Sequence, residues 1–170
     1  MVRGRPARSE IRERITALLS KLKVSYGYEI YKNYKQVFDG VTSRVIYYHL
    51  RKGIETGEFI VVNVERALGN YTWGDECERI YYTIGPFART KQVWWDQASK
   101  ITVAPREINF DWEKEVRKNI ELLKISVQTN KGKDKQKLLN KCDKLIGWIN
   151  NRENNETLIS EINSIKLFLK

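Results

Sequence analysis

The sequence predicts an α+β chain in which three amphipathic helices and a β-hairpin are followed by an all-helical extension. Three observations carry this expectation. Apolar residues recur at helical spacing in three runs between Ser9 and Thr56. The pattern then switches to β-branched stretches at Phe59-Ile60-Val61-Val62-Asn63-Val64 and Ile80-Tyr81-Tyr82-Thr83-Ile84. From Asn109 onward helical spacing returns and persists to the end.

Each element can be justified in order. Residues 1–8 form a basic arm with three arginines and a proline. Ser9 is placed to cap a first helix, along which Ile11, Ile15, Leu18, Leu19 and Leu22 share a face. A second helix is predicted from Tyr26 to Phe38, burying Ile30, Tyr34 and Val37. Phe38-Asp39-Gly40-Val41 reads as a turn, because Gly40 tolerates the positive φ that breaks a helix. Thr42 or Ser43 then caps a third helix running to about Thr56. Its residues Ile46, Leu50 and Ile54 are expected inward, and Gly57 is expected to end it as a left-handed cap. Gly69, Asn70, Gly74 and Asp75 give Ala67 to Glu78 the chemistry of a loop, so the two strands should form a hairpin around it, closed by Gly85-Pro86. Three helices and such a hairpin make a winged helix-turn-helix, predicted over residues 9–86.

Residues 87–108 are expected to be a linker, with Val93-Trp94-Trp95 either a short helix or an apolar clip onto the wing. Residues 109–170 should be helical. Trp112, Val116, Ile120, Leu123 and Val127 form one stripe, Leu138, Leu139, Cys142, Leu145, Ile146 and Ile149 a second, and Leu158, Ile162, Ile165 and Leu169 a third. Stripes this apolar need cover, either from the winged helix or from a second copy; homodimerisation through these helices is the expectation.

The net charge of +10 is unevenly spread: residues 1–57 carry +7, residues 58–108 carry −1 and residues 109–170 carry +4. Concentrated positive charge suits a polyanion, since each cation set beside a phosphate releases condensed counterions. No run of 18 apolar residues is present and Met1-Val2-Arg3-Gly4-Arg5-Pro6 lacks the apolar centre of a signal peptide, which together predict a cytoplasmic, intracellular protein that is nucleoid-associated if it binds DNA. Cys77 and Cys142 are read as reduced thiols rather than a disulfide.

Tyr26-Gly27-Tyr28-Glu29-Ile30, followed by Thr42-Ser43 and by Tyr47-Tyr48-His49-Leu50-Arg51-Lys52-Gly53-Ile54-Glu55-Thr56-Gly57, resembles the PadR-type and related archaeal winged-helix regulators. The match is to their YGYEI-like second helix and to a recognition helix of the form Y-x-x-L-x-x-x-x-x-x-G. Tyr81-Tyr82-Thr83-Ile84-Gly85 is similar to the strand that ends their wing. The resemblance covers about 75 of the 170 residues and has no counterpart for the C-terminal half; the acidic wing also departs from the usual short basic one. It implies major-groove reading by the third helix, and the residues taken alone agree. If Ile46, Leu50 and Ile54 face inward, Arg44, Tyr47, Tyr48, Arg51 and Glu55 face outward. An arginine there can fork onto guanine O6 and N7, and the tyrosines can reach phosphates or thymine methyls. Thr42 and Ser43 can serve phosphate, and Lys52 completes the candidate set.

Arg3-Gly4-Arg5-Pro6 resembles the core of the AT-hook, whose arginines lie along a narrow A·T minor groove. Arg3, Gly4 and Arg5 are therefore candidate DNA contacts as well. In the wing, Tyr71 and Trp73 could touch a sugar–phosphate edge, whereas Asp75, Glu76 and Glu78 would repel phosphate. His49 is the only histidine and is read as a helix residue at the edge of the core. One histidine and two distant cysteines supply neither a metal site nor a catalytic triad, and no phosphate-binding glycine loop is present, so neither enzyme activity nor a cofactor is expected. Around the second C-terminal helix, Lys131, Lys133, Lys135, Lys137, Lys141 and Lys144 form a basic patch that is either a solvated face or a backbone contact. The expected function is sequence-specific binding of double-stranded DNA by a transcriptional regulator. The alternatives are an RNA- or ribosome-associated winged helix and a protein-interaction adaptor.

Overall fold

The first helix, α1 (Glu10–Leu22), starts where Ser9 Oγ accepts a hydrogen bond from the Arg12 amide at 3.4 Å, and Glu10 and Glu13 place negative charge in its first turn. The computed structural model describes residues 9–38, 40–71, 74–107, 109–129, 134–150, 152 and 155–169, with the side chains of residues 70 and 71 left out. Arg3, Gly4, Arg5, Asp39, Trp73, Lys131 and Lys133 lie outside it. The chain divides into two units, Met1–Ile108 and Asn109–Lys170.

In the first unit, α1 ends at Lys23, whose φ of 63° and ψ of −63° form a positive-φ γ-turn closed by the Val24 amide donating to Leu22 O at 2.8 Å. A side chain in this region is strained. Thr83 Oγ1 donates to Lys23 O at 2.8 Å and helps hold it. The turn delivers β1 (Ser25–Tyr26) to the sheet, and α2 (Gly27–Val37) follows directly, burying Ile30 and Tyr34 as expected. Gly40 takes φ 77°, the turn conformation its sequence suggests. The next helix, α3 (Ser43–Glu55), begins at Thr42. It closes with the Glu58 amide donating to Gly53 O at 2.8 Å and the Gly57 amide to Ile54 O at 3.0 Å, around Gly57 at φ 70°. This pair of bonds is a Schellman closure, which satisfies carbonyls that the helix end leaves without partners.

Two long strands follow, β2 (Phe59–Tyr71) and β3 (Gly74–Ile84), in an antiparallel sheet of order β1-β3-β2. The element order and sheet are those of a winged helix-turn-helix. The expected loop over Ala67 to Glu78 is corrected: those residues are mostly strand. The register sets Glu65 opposite Arg79 and Arg66 opposite Glu78, opposite charges that support the ladder before it continues outward through Ala67 opposite Cys77 and Leu68 opposite Glu76. A shift between Val61 and Asn63 and another between Leu68 and Tyr71 adjust the register.

A second correction concerns α3. Ile46 and Leu50 are fully buried, but Ile54 is 40% exposed and Gly53 is buried instead. At 3.6 residues per turn the inward stripe continues through position 53, where the Phe59 ring lies so close that an added Cβ would come within 2.0 Å of it.

Residues 87–108 belong to the first unit. The helix α4 (Gln92–Ala98) packs on α1, and its Ala98, with Ile101 just beyond it, joins a core built from Ile15, Leu18, Leu19, Leu22, Ile30, Tyr34, Ile46, Leu50, Phe59 and Tyr82. The chain then runs back beside α1's end, where the Arg106 amide donates to Leu22 O at 3.0 Å.

The second unit holds α5 (Trp112–Thr129), α6 (Lys135–Ile149) and α7 (Glu156–Leu169). Their three stripes cover one another: Val116, Ile120, Leu123, Cys142, Leu145, Ile149, Leu158 and Ile162 form one buried cluster. The cover demanded by the sequence is thus found within the unit. Cys77 and Cys142 are free thiols. No described helix is long and apolar enough to cross a membrane.

Candidate nucleic-acid interface

With Ile46, Leu50 and Gly53 inward, the geometry of α3 turns Arg44, Tyr47, Tyr48, Arg51 and Glu55 to the opposite side. Arg44 and Arg51 are exposed, and Tyr47 and Tyr48 are 46% and 43% exposed. Among the described residues, no ion pair or hydrogen bond engages the side chain of Arg44. Arg51 is within electrostatic reach of Glu55. Lys52 Nζ donates to Glu55 Oε2 at 2.6 Å, and that bond, with the field of Lys52 and Arg51, holds the Glu55 carboxyl below its usual range. The carboxylate thereby offsets cationic charge at the C-terminal end of the helix. The uncompensated charge lies toward the N-terminal half, with exposed Thr42 and half-buried Ser43 at the helix start.

Tyr47 does more than face solvent. Its ring lies over Gly27, where a Cβ would meet Cε1 at 2.4 Å, so the start of α2 and the exposed face of α3 are in contact. Burial of part of the ring pushes the phenol up, with smaller contributions from Tyr26, Cys77 and Tyr28. Tyr28, itself 52% exposed and tilted against Tyr31 with centroids 6.0 Å apart, extends this aromatic surface onto α2. Sequence reasoning used Tyr28 only as part of a motif; its position one residue beyond the helix-starting glycine was the available signal.

The remaining candidates separate into those brought near α3 and those that are not. Arg3, Gly4 and Arg5 fall outside the described residues, but the root of their arm does not. Ser9 Oγ lies 3.3 Å from His49 Nδ1, on α3, and His49 packs edge-on against Tyr48 with centroids 5.1 Å apart. His49 is therefore the residue through which the arm's root meets the helix, a role that its place in the sequence does not disclose.

Behind this face, the start of α2 is anchored by charge. Ser25 Oγ donates to Glu29 Oε2 at 2.8 Å, Arg106 Nη1 pairs with the same oxygen at 3.3 Å, and Arg106 lies over the rings of Tyr26 and Tyr81 at 5.9 and 5.1 Å. Tyr81 also donates its hydroxyl to Glu65 Oε2 at 2.6 Å. The outer wing exposes Glu65, Asp75, Glu76 and Glu78 against Arg66, a surface that repels phosphate. The side chain of Tyr71 lies outside the description. In the lysine patch, Lys137 pairs with Asp134 at 2.8 Å, and Lys135, Lys141 and Lys144 also have partners. Among the described residues no group of three His, Cys, Asp or Glu side chains could hold a metal ion.

No protein-family model matches this chain, and no curated protein matches it in sequence. Among solved structures, it is similar to the crystal structure of Bacillus subtilis PadR in complex with operator DNA, at 16% identity over 95% of this chain and 92% of that one, with a TM-score of 0.33. At that score the superposition is loose, and the winged-helix assignment stands on the element order and strand register of the first unit.

Proposed function

We propose that the chain is a sequence-specific double-stranded DNA-binding transcriptional regulator that sets α3 in the major groove. The observation that carries this reading is the outward face of α3, where Arg44 and Arg51 are exposed beside Tyr47 and Tyr48 while the opposite face is locked into the core. A guanidinium at either position can fork onto a guanine edge. Thr42 and Ser43 serve the flanking phosphate, and Lys52, tied to Glu55, contributes chiefly to the field.

Arg3, Gly4 and Arg5 take the minor groove beside the site. Support comes from the contact of Ser9 with His49, because six residues of extended chain span roughly 20 Å, enough to pass from α3 to the neighbouring groove. Two copies bind two half-sites, which multiplies the specificity that one helix can give. The wing stays clear of the backbone because its outer half is acidic.

Selection of bound sequences from a random duplex pool, with the stoichiometry measured on the winner, tests the reading. On that sequence Arg51→Ala is expected to cost roughly 1–3 kcal/mol and to relax the preference at one base pair. An unchanged titration removes Arg51 from the reading surface. Competition between the selected duplex and a structured RNA at one salt concentration decides which polyanion is preferred; preference for the RNA overturns the reading.

A further inference from the structure

Three arginines each lie over two aromatic rings, Arg106 among them, and for Arg152 alone no carboxylate partner stands among the described residues. In the first unit the Arg14 guanidinium lies over the rings of Trp94 and Phe38, 4.3 and 5.4 Å from their centroids. There the Glu10 carboxylate pairs with it and the Tyr34 hydroxyl accepts from it at 3.3 Å. In the second unit the Arg152 guanidinium lies over Trp148 and Trp112, at 4.6 and 5.3 Å. Like that of Arg14, its Nε is buried without a hydrogen-bond partner; unlike Arg14, it has no carboxylate paired with it among the described residues. Burial lowers its affinity for the proton.

The backbone under Arg152 is fixed. The Asn155 side-chain amide donates to Ile149 O, Asn150 O and Arg152 O at 2.9, 3.2 and 2.8 Å, and the Arg152 amide donates to Ile149 O at 3.0 Å. Two indole faces hold the plane of the guanidinium, and a pinned turn holds its root. A guanidinium so held loses little freedom when its N–H edge meets an oxyanion, and a planar fork matches phosphate with two parallel bonds. Among the described residues, none takes beside Arg152 the position that Glu10 occupies beside Arg14.

We infer that Arg152, set over Trp112 and Trp148, is the receptor for a phosphate oxyanion. Its source is the phosphodiester backbone of a bound duplex, a choice that rests on the DNA-binding reading above. The second unit would then add a sequence-independent backbone contact to the base reading of the first.

The test uses the full chain. Titration with inorganic phosphate at constant ionic strength should change the tryptophan fluorescence in a saturable way. Arg152→Gln should abolish that change. Arg152→Lys, which keeps the charge but not the fork, should weaken it several-fold while the helical circular dichroism is retained. On the selected duplex, Arg152→Gln should reduce the slope of log affinity against log salt by about 1 without altering sequence preference. Absence of the phosphate response in the parent chain, with an unchanged salt slope in the variant, reduces Arg152 to a structural clasp and overturns the inference. A phosphate response with an unchanged duplex slope overturns the nucleic acid as the source. Failure of the parent to bind any duplex sinks the DNA-binding reading, and the phosphate titration then judges Arg152 by itself.

Discussion

Single side chains in this protein are perturbed mainly by what covers them. Tyr82 is 5% exposed in the core beneath the sheet, and burial, assisted by Tyr47, pushes its phenol up from 10.0 to about 12. The buried ring strongly favours its neutral form, whereas the unfolded chain releases the proton near 10.0. A folded value above the unfolded one means that the stabilisation is complete below pH 10 and is lost as the pH climbs toward 12. Tyr34, Tyr47 and Tyr81 are shifted in the same direction, each chiefly by burial. Alkaline titration should therefore weaken the first unit by on the order of 2–3 kcal/mol through Tyr82 alone. Tyrosinate absorbance followed alongside circular dichroism checks this: Tyr82 should ionise only as the fold is lost, and in a Tyr82→Phe chain the alkaline loss should shrink.

Among the elements, α3 is positioned through places where a side chain is missing. Gly53 admits the Phe59 ring, and a Cβ at Gly85 would come within 2.3 Å of Gly57 O, so the end of α3 and both ends of the hairpin close on one another. Gly53→Ala gains helix propensity in principle, yet its methyl would collide with Phe59. The net effect should be a loss of about 1–3 kcal/mol in a denaturant midpoint, with Gly53→Ala, Phe59→Leu recovering part of it. This is also where the sequence was misread. Ile54 looked like the third member of a buried row because an isoleucine four residues after Leu50 is a strong signal. A glycine chosen to receive a neighbour's ring gives no apolar signal at all. The wing was legible at its base, where Phe59, Ile60 and Tyr82 bury themselves. Farther out, ordering comes from Glu65 facing Arg79 and Arg66 facing Glu78, pairings that exist only once the register is known. The start of α1 is legible at Ser9 because capping is local, whereas Thr42 stands at the start of α3 without a side-chain cap. The joining of Ser9 to His49, 40 residues apart, is a product of tertiary folding.

Across the whole molecule, each of the two units has its own buried cluster, Ile15 to Ile101 in one and Val116 to Leu169 in the other. Leu145 is fully buried in the second, and Leu145→Ala should cost that unit roughly 2–5 kcal/mol. Hydrogen exchange should show the loss confined to amides of α5, α6 and α7, with those of α1 to α3 unchanged; equal losses in both would mean that the two cores melt as one. By the same division residues 1–108 carry +6 (+7 up to residue 57 and −1 beyond it) and residues 109–170 carry +4. The proposed Arg152 contact and the face of α3 would consequently respond to salt together but to base sequence separately.

The exposure of Arg44, Tyr48 and Arg51 has an evolutionary corollary. Residues that lie largely outside the core can be exchanged with little disturbance to the frame that presents them, whereas Gly27, Gly53 and Gly57 stand where an added side chain would collide or be strained. On the proposed reading, descendants of this chain would be free to acquire new targets by rewriting three or four outward letters of one helix, while the glycines beneath stayed immobile as the price of having a frame at all.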